Sequence, residues 1–151
     1  MLPTREALTM PDTIQQLVNG ALEDGNPLLL AVVERQGRPS LSYRGSAQVY
    51  DAGSIGLWVR NVGGETLAAI TANPHVALMY RSATIPMLQF KGRARITSDA
   101  AERTRIFELS PSRERDADPE RRGVAVLIDL DSVEGVQGFV DGKPDYIRIG
   151  S

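Results

Sequence analysis

Residues Met87–Ile96, MLQFKGRARI, alternate with a period of two. Leu88, Phe90, Gly92, Ala94 and Ile96 fall on one face, and Met87, Gln89, Lys91, Arg93 and Arg95 on the other. Successive side chains of a strand point to opposite faces, so the pattern predicts a half-buried strand. The continuous apolar run at 27–34 (PLLLAVVE) predicts a buried one. Further strands are expected at 39–50, with Gly45 as a bulge, at 55–60 (IGLWVR), at 76–80 (VALMY), and within GVAVLIDLDSVEGV and PDYIRI.

Three segments read as helices instead. At 10–22, Ile14, Leu17, Val18, Ala21 and Leu22 recur at helical spacing, Thr9 and Asp12 can cap the start, and Gly25–Asn26–Pro27 ends it. A helix of about two turns follows Gly64, with Leu67 and Ile70 inward and Asn73–Pro74 as the stop. The third starts near residue 99, with Asp99 and Glu102 as a capping pair, Ile106, Phe107 and Leu109 as apolar contacts, and Pro111 at its end. The charged segment 112–123 reads as a mobile loop. The element order predicts one mainly β domain over residues 1–151, an antiparallel meander closing into a barrel.

Composition narrows the chemistry. The 151 residues include no cysteine, which excludes disulfides, thiolate metal sites and cysteine nucleophiles. A single histidine, His75, weighs against a Ser/His triad and most zinc chemistry, and it reads as an exposed strand start. Catalysis by this chain would therefore draw on a cofactor. Asp129 and Asp131 have no second ligand cluster and mark a strand end rather than a metal site. A net charge of −2 gives no reason to expect a nucleic-acid partner. No stretch approaches the roughly 20 apolar residues of a membrane span, and the N-terminus lacks an apolar signal core, so a cytoplasmic protein without a membrane partner is expected.

Four local motifs, in order, carry a resemblance: GRPSLS opening the second strand, IGLWVR, AAITANPHVALMYR and LQFKGRARI. The most specific is Ile70, two residues, Asn73–Pro74, then Val76–Ala77–Leu78. Over roughly residues 12–140 the chain resembles the pyridoxamine 5'-phosphate oxidase-like family of FMN-binding split β-barrels. The resemblance implies antiparallel strands, a homodimer, and FMN in two clefts lined by both subunits. It implies redox chemistry on an unidentified small-molecule substrate. A deazaflavin cofactor, or a non-catalytic, cofactor-poor binding protein on the same scaffold, are the alternatives. In the parent oxidase, substrate-binding Arg and His residues lie near the C-terminus. No His follows residue 75 here, so pyridoxamine phosphate oxidation itself is not expected.

The stretch from Leu57 to Arg81 runs strand, glycine turn, helix start, which is a common way to hold an anion. Aligned from Asn73–Pro74, the family's phosphate-binding Arg-Lys pair falls on Glu65–Thr66, and its preceding small residue on Gly64. Glu65 opposes a phosphate; the Thr66 hydroxyl and the first-turn amides remain as donors. Arg60 and Arg44 are the expected replacement cations. Ser42, Tyr43, Trp58, Val59 and Gln89 are candidates for the ring and ribityl walls, with core packing the favoured reading for Trp58. Lys91, Arg93 and Arg95 read as a solvated or dimer-facing stripe. No residue has the setting of a general acid or base.

Overall fold

The computed structural model describes residues 8–151. Its elements are α1 (Asp12–Gly20), β1 (Leu28–Val33), β2 (Pro39–Arg44), β3 (Gln48–Asp51), β4 (Ser54–Val59), α2 (Glu65–Ala72), β5 (His75–Arg81), β6 (Met87–Ile96), α3 (Ala100–Leu109), α4 (Ser112–Asp116), β7 (Val124–Val140) and β8 (Lys143–Gly150). The strands form one antiparallel eight-stranded sheet ordered β2-β1-β5-β6-β7-β4-β3, with β8 added to β7. The two strands at the ends of that order are consecutive in the chain, separated by residues 45–47 alone. The sheet therefore curls until its edges are neighbours, giving the split barrel expected from the motif order. Among the described residues, no helix is long and apolar enough to cross a membrane.

Period-two burial builds the core. Leu28 and Leu30 of β1, Leu78 of β5, and Leu88 and Phe90 of β6 turn inward, against Ile55 and Leu57 of β4 and Val126 and Ile128 of β7. Every residue of β4 is buried, because α3 covers its other face. There Trp58 packs with Ile106, Phe107, Ala125 and Leu127, and its ring meets Phe107 edge-on at 4.9 Å. The 17-residue β7 serves two partners along one edge: its first half pairs with β4 and its second with β8. Gly92 marks a register shift in β6, where a Cβ would come within 2.4 Å of the Asp129 carbonyl oxygen.

Several boundaries differ from the sequence expectations. The strand expected at 39–50 is two strands, and Gly45 belongs to the turn between them rather than to a bulge. Ser46 explains the break. Its hydroxyl accepts from the Trp58 N–H (2.9 Å) and donates to the Trp58 carbonyl (3.1 Å), tying the turn between β2 and β3 to β4. Ser46→Ala leaves both buried groups without that partner and is expected to cost about 1–2 kcal/mol, read as a lower urea midpoint. Neither α1 nor α3 has the expected side-chain cap. Pro11 and Asp99 occupy the cap positions without a side-chain hydrogen bond, and Glu102 instead accepts from Thr97 and Arg95. Ile96, expected inside, is 43% exposed at the end of β6, and Leu109 is exposed at the end of α3.

The charged segment 112–123, expected as a mobile loop, contains α4 and is anchored by Asp118. The buried Asp118 carboxylate accepts from Trp58 Nε1–H (2.9 Å) and from the backbone N–H groups of Arg122 (3.0 Å) and Gly123 (2.8 Å). Burial by itself opposes ionisation. The three donors, with the charge of Arg122, outweigh it and hold the Asp118 pKa below the usual carboxylate range.

Candidate functional site

Alternation along β2 decides which of its side chains meet the start of α2. Leu41 and Tyr43 point outward, 65% and 71% exposed, while Ser42 and Arg44 turn to the other face. The Arg44 guanidinium spans two hydroxyls: Nη2 donates to Thr66 Oγ1 at 2.6 Å and Nε to Ser42 Oγ at 3.1 Å. A cation from β2 thus stands against the second residue of α2. Partial burial lowers the Arg44 pKa and the Glu114 carboxylate opposes that fall, although an arginine stays charged at any ordinary pH.

The helix start, preceded by Gly64, carries no side-chain cap, and first-turn N–H groups have no partner within a helix. Glu65 is exposed at the first helical position. Beside this corner lies a cavity of about 280 Å³ lined by Tyr43, Arg44, Ser46, Trp58, Arg60 and Glu114. Arg60 follows the last residue of β4, and its Nε lies 3.6 Å from Glu114 Oε2. A larger depression of about 390 Å³ on the outer sheet face is walled by Ala31, Val33, Pro39 and Ala77, with His75 and Lys91 at its rim. Lys91 there pairs with Glu134 at 3.2 Å. The smaller cavity is the better candidate because two arginines converge on it.

The remaining candidates scatter. Trp58 reaches the cavity wall, but it is only 2% exposed and its indole N–H is committed to Asp118. Val59 is buried in the core and paired with Val124. Gln89 donates to Glu134 at 3.4 Å on the outer face of β6. The register aligns Tyr43, Leu29, Met79 and Gln89 in one row across β2, β1, β5 and β6. Three strand spacings separate its ends, roughly 14 Å. Arg93 pairs with Asp131 (3.4 Å) and Arg95 with Asp129 (3.6 Å); the two aspartates, expected at a strand end, instead lie inside β7, which continues to Val140 because it goes on to pair with β8. Sequence reasoning missed Glu114, because a run of charges reads the same whether it is solvated or folded against an arginine.

Residues 12–133 match the family described as pyridoxamine 5'-phosphate oxidase. No curated protein sequence matches the chain. Solved structures share its fold. HupZ of Group A Streptococcus superposes with a TM-score of 0.69 at 15% identity, covering 90% of this chain and 98% of that one. PhzG of Burkholderia lata 383, in complex with tetrahydrophenazine-1-carboxylic acid, gives 0.69 at 12% identity, covering 95% and 87%. A Clostridium acetobutylicum protein related to general stress protein 26 gives 0.64 at 13% identity, covering 92% and 96%.

Proposed function

The chain belongs to the pyridoxamine 5'-phosphate oxidase family, and from that premise we propose that it is a homodimeric FMN-binding oxidoreductase acting on a small organic molecule. The observation that carries this reading is the 2.6 Å contact between Arg44 and Thr66 at the uncapped start of α2. The residues present fit a phosphate monoester. Arg44 brings charge and several N–H donors to the helix start, Thr66 and Ser42 bring hydroxyls, and Arg60 is a second cation on the same cavity. Glu65 and Glu114 oppose the anion, so the fit is weaker than an unopposed arginine pair would give.

When bound, the flavin supplies the redox chemistry, a hydride or electron exchange with the substrate. The protein's share is binding, orientation and exclusion of water. Arg44, Thr66 and the first-turn amides of α2 hold the phosphate end. The outer face of β2, β1 and β5 provides an apolar wall: Leu41 pairs with Ala31, Tyr43 with Leu29, and Leu29 and Ala31 with Met79 and Ala77. A face of this kind, with Leu41 and Tyr43 largely exposed, suits burial against a second copy. Gln89 lies far along that face from Tyr43, so it would join a flavin site from the partner subunit.

A second reading has one observation in its favour. Glu114 already engages Arg60, as in a protein that needs no phosphorylated cofactor. Titration separates the two. Addition of FMN to the purified protein is expected to give saturable changes in the visible flavin spectrum, with a dissociation constant in the micromolar range or below, and sedimentation is expected to show a dimer. Absence of any spectral change at millimolar FMN would favour the cofactor-poor reading.

A further inference from the structure

Among the described residues, Glu114 is the one acidic side chain lining the cavity that holds both arginines. Of the ion pair it makes with Arg60, the carboxylate is the enclosed member: Glu114 is 17% exposed and Arg60 is 51% exposed. A built place receives it. At Gly45, an added Cβ would stand 2.6 Å from Glu114 Oε1 and 3.2 Å from a Leu22 methyl. Gly45 does not have a positive φ, so backbone conformation does not require glycine there. A side chain there would displace the carboxylate from its present position. The same carboxylate favours the charged form of Arg44 against the effect of burial, so it acts on both cations.

We propose that Glu114 is a specificity-determining residue: it holds Arg60 when no ligand is bound, must yield it to an incoming phosphate, and so sets how far phosphorylated ligands are preferred over neutral ones. The segment that carries it suits that role. α4 is five residues long with none of them buried, and it lies between the Ser110 hydroxyl bond to the Ile106 carbonyl (3.0 Å) and the Asp118 anchor. Glu114 can withdraw from Arg60 while both flanking anchors stay closed. The ligand class that competes with it is a phosphate monoester on a polyol chain, the end of FMN that riboflavin lacks.

This inference rests on the flavin reading, and the test is arranged to separate the two. Wild type and Glu114→Gln are titrated in parallel with FMN, riboflavin and inorganic phosphate. Glutamine keeps the shape and removes the competing charge. FMN affinity is expected to rise about tenfold in the variant, with riboflavin affinity unchanged within about twofold. Equal FMN affinities in the two proteins, or an equal gain for riboflavin, would overturn the proposal. If neither protein binds either flavin, the flavin reading fails by itself and the phosphate titration decides the role of Glu114. A larger phosphate-dependent rise in melting temperature for Glu114→Gln than for wild type supports it, and equal rises refute it.

Discussion

Replacing Arg44 with methionine is expected to weaken FMN binding about 100-fold and to leave riboflavin binding unchanged within about twofold. Methionine retains much of the aliphatic stem, so packing beneath β2 is largely preserved. What is lost is the guanidinium that bridges Ser42 and Thr66. A hydrogen bond to a charged group is worth about 1.5–3 kcal/mol, and 2.7 kcal/mol corresponds to that factor of 100. Arg60 makes up only part of the loss, because the phosphate must still draw it away from Glu114, 3.6 Å distant. With Glu65 and Glu114 left in place, the phosphate becomes a disadvantage and the preference inverts towards riboflavin. Arg44→Lys is expected to fall between, since it keeps the charge and loses the fork that spans two hydroxyls. Fluorescence titration of both ligands against both variants reads each of these outcomes.

The second large effect concerns stability. Asp118→Ala is expected to lower the unfolding free energy by about 2–4 kcal/mol near neutral pH, because it leaves the Trp58 indole N–H and the Arg122 and Gly123 amides without their acceptor. Trp58 is the only tryptophan, so its emission reports the change directly. Asp118→Asn should recover part of the loss, because one amide oxygen replaces two carboxylate oxygens. The acid side supplies an independent check. The folded-state pKa of Asp118 is lowered, so its contribution is fully present above the unfolded value, about 3.9, and is lost as pH falls from there through the lower folded value. Urea midpoints of wild type and Asp118→Ala are therefore expected to converge on acidification below about pH 4 and to stay apart above it. A gap that persisted undiminished into acid would show that Asp118 acts by packing rather than as a charged acceptor.

The parts of this molecule that were legible in the sequence are those governed by local periodicity. The two faces of β6, the apolar run of β1 and the short helix between Gly64 and Asn73 needed no partner to be recognised, and the order of motifs located the split barrel. The misplacements fall where tertiary contacts override local pattern. Ile96 continues the alternation of β6 and is nonetheless exposed, because β6 ends there. Residues 39–50 read as one strand because nothing local reveals that Ser46 bonds to Trp58 twelve positions on.

The same distinction applies to the site. The missing Arg-Lys pair could be seen in the sequence, and Arg44 and Arg60 could be named as replacements. That Arg44 reaches Thr66, 22 positions away, follows only from the register that sets β2 beside the start of α2. Glu114 gave no signal, since its partner Arg60 is 54 positions distant, by subtraction of the residue numbers, and lies beyond the end of a different strand. Tyr43 and Ser42 are adjacent in the chain and face opposite ways, the ordinary consequence of a two-residue repeat.

Parallel calorimetric titration of wild-type protein with FMN and with riboflavin tests the central claim most directly, because the two ligands differ only in the phosphate that Arg44 and Thr66 are held to bind. FMN is expected to bind about tenfold tighter or more. Equal affinities, or tighter binding of riboflavin, would contradict the assignment of this corner to a phosphate.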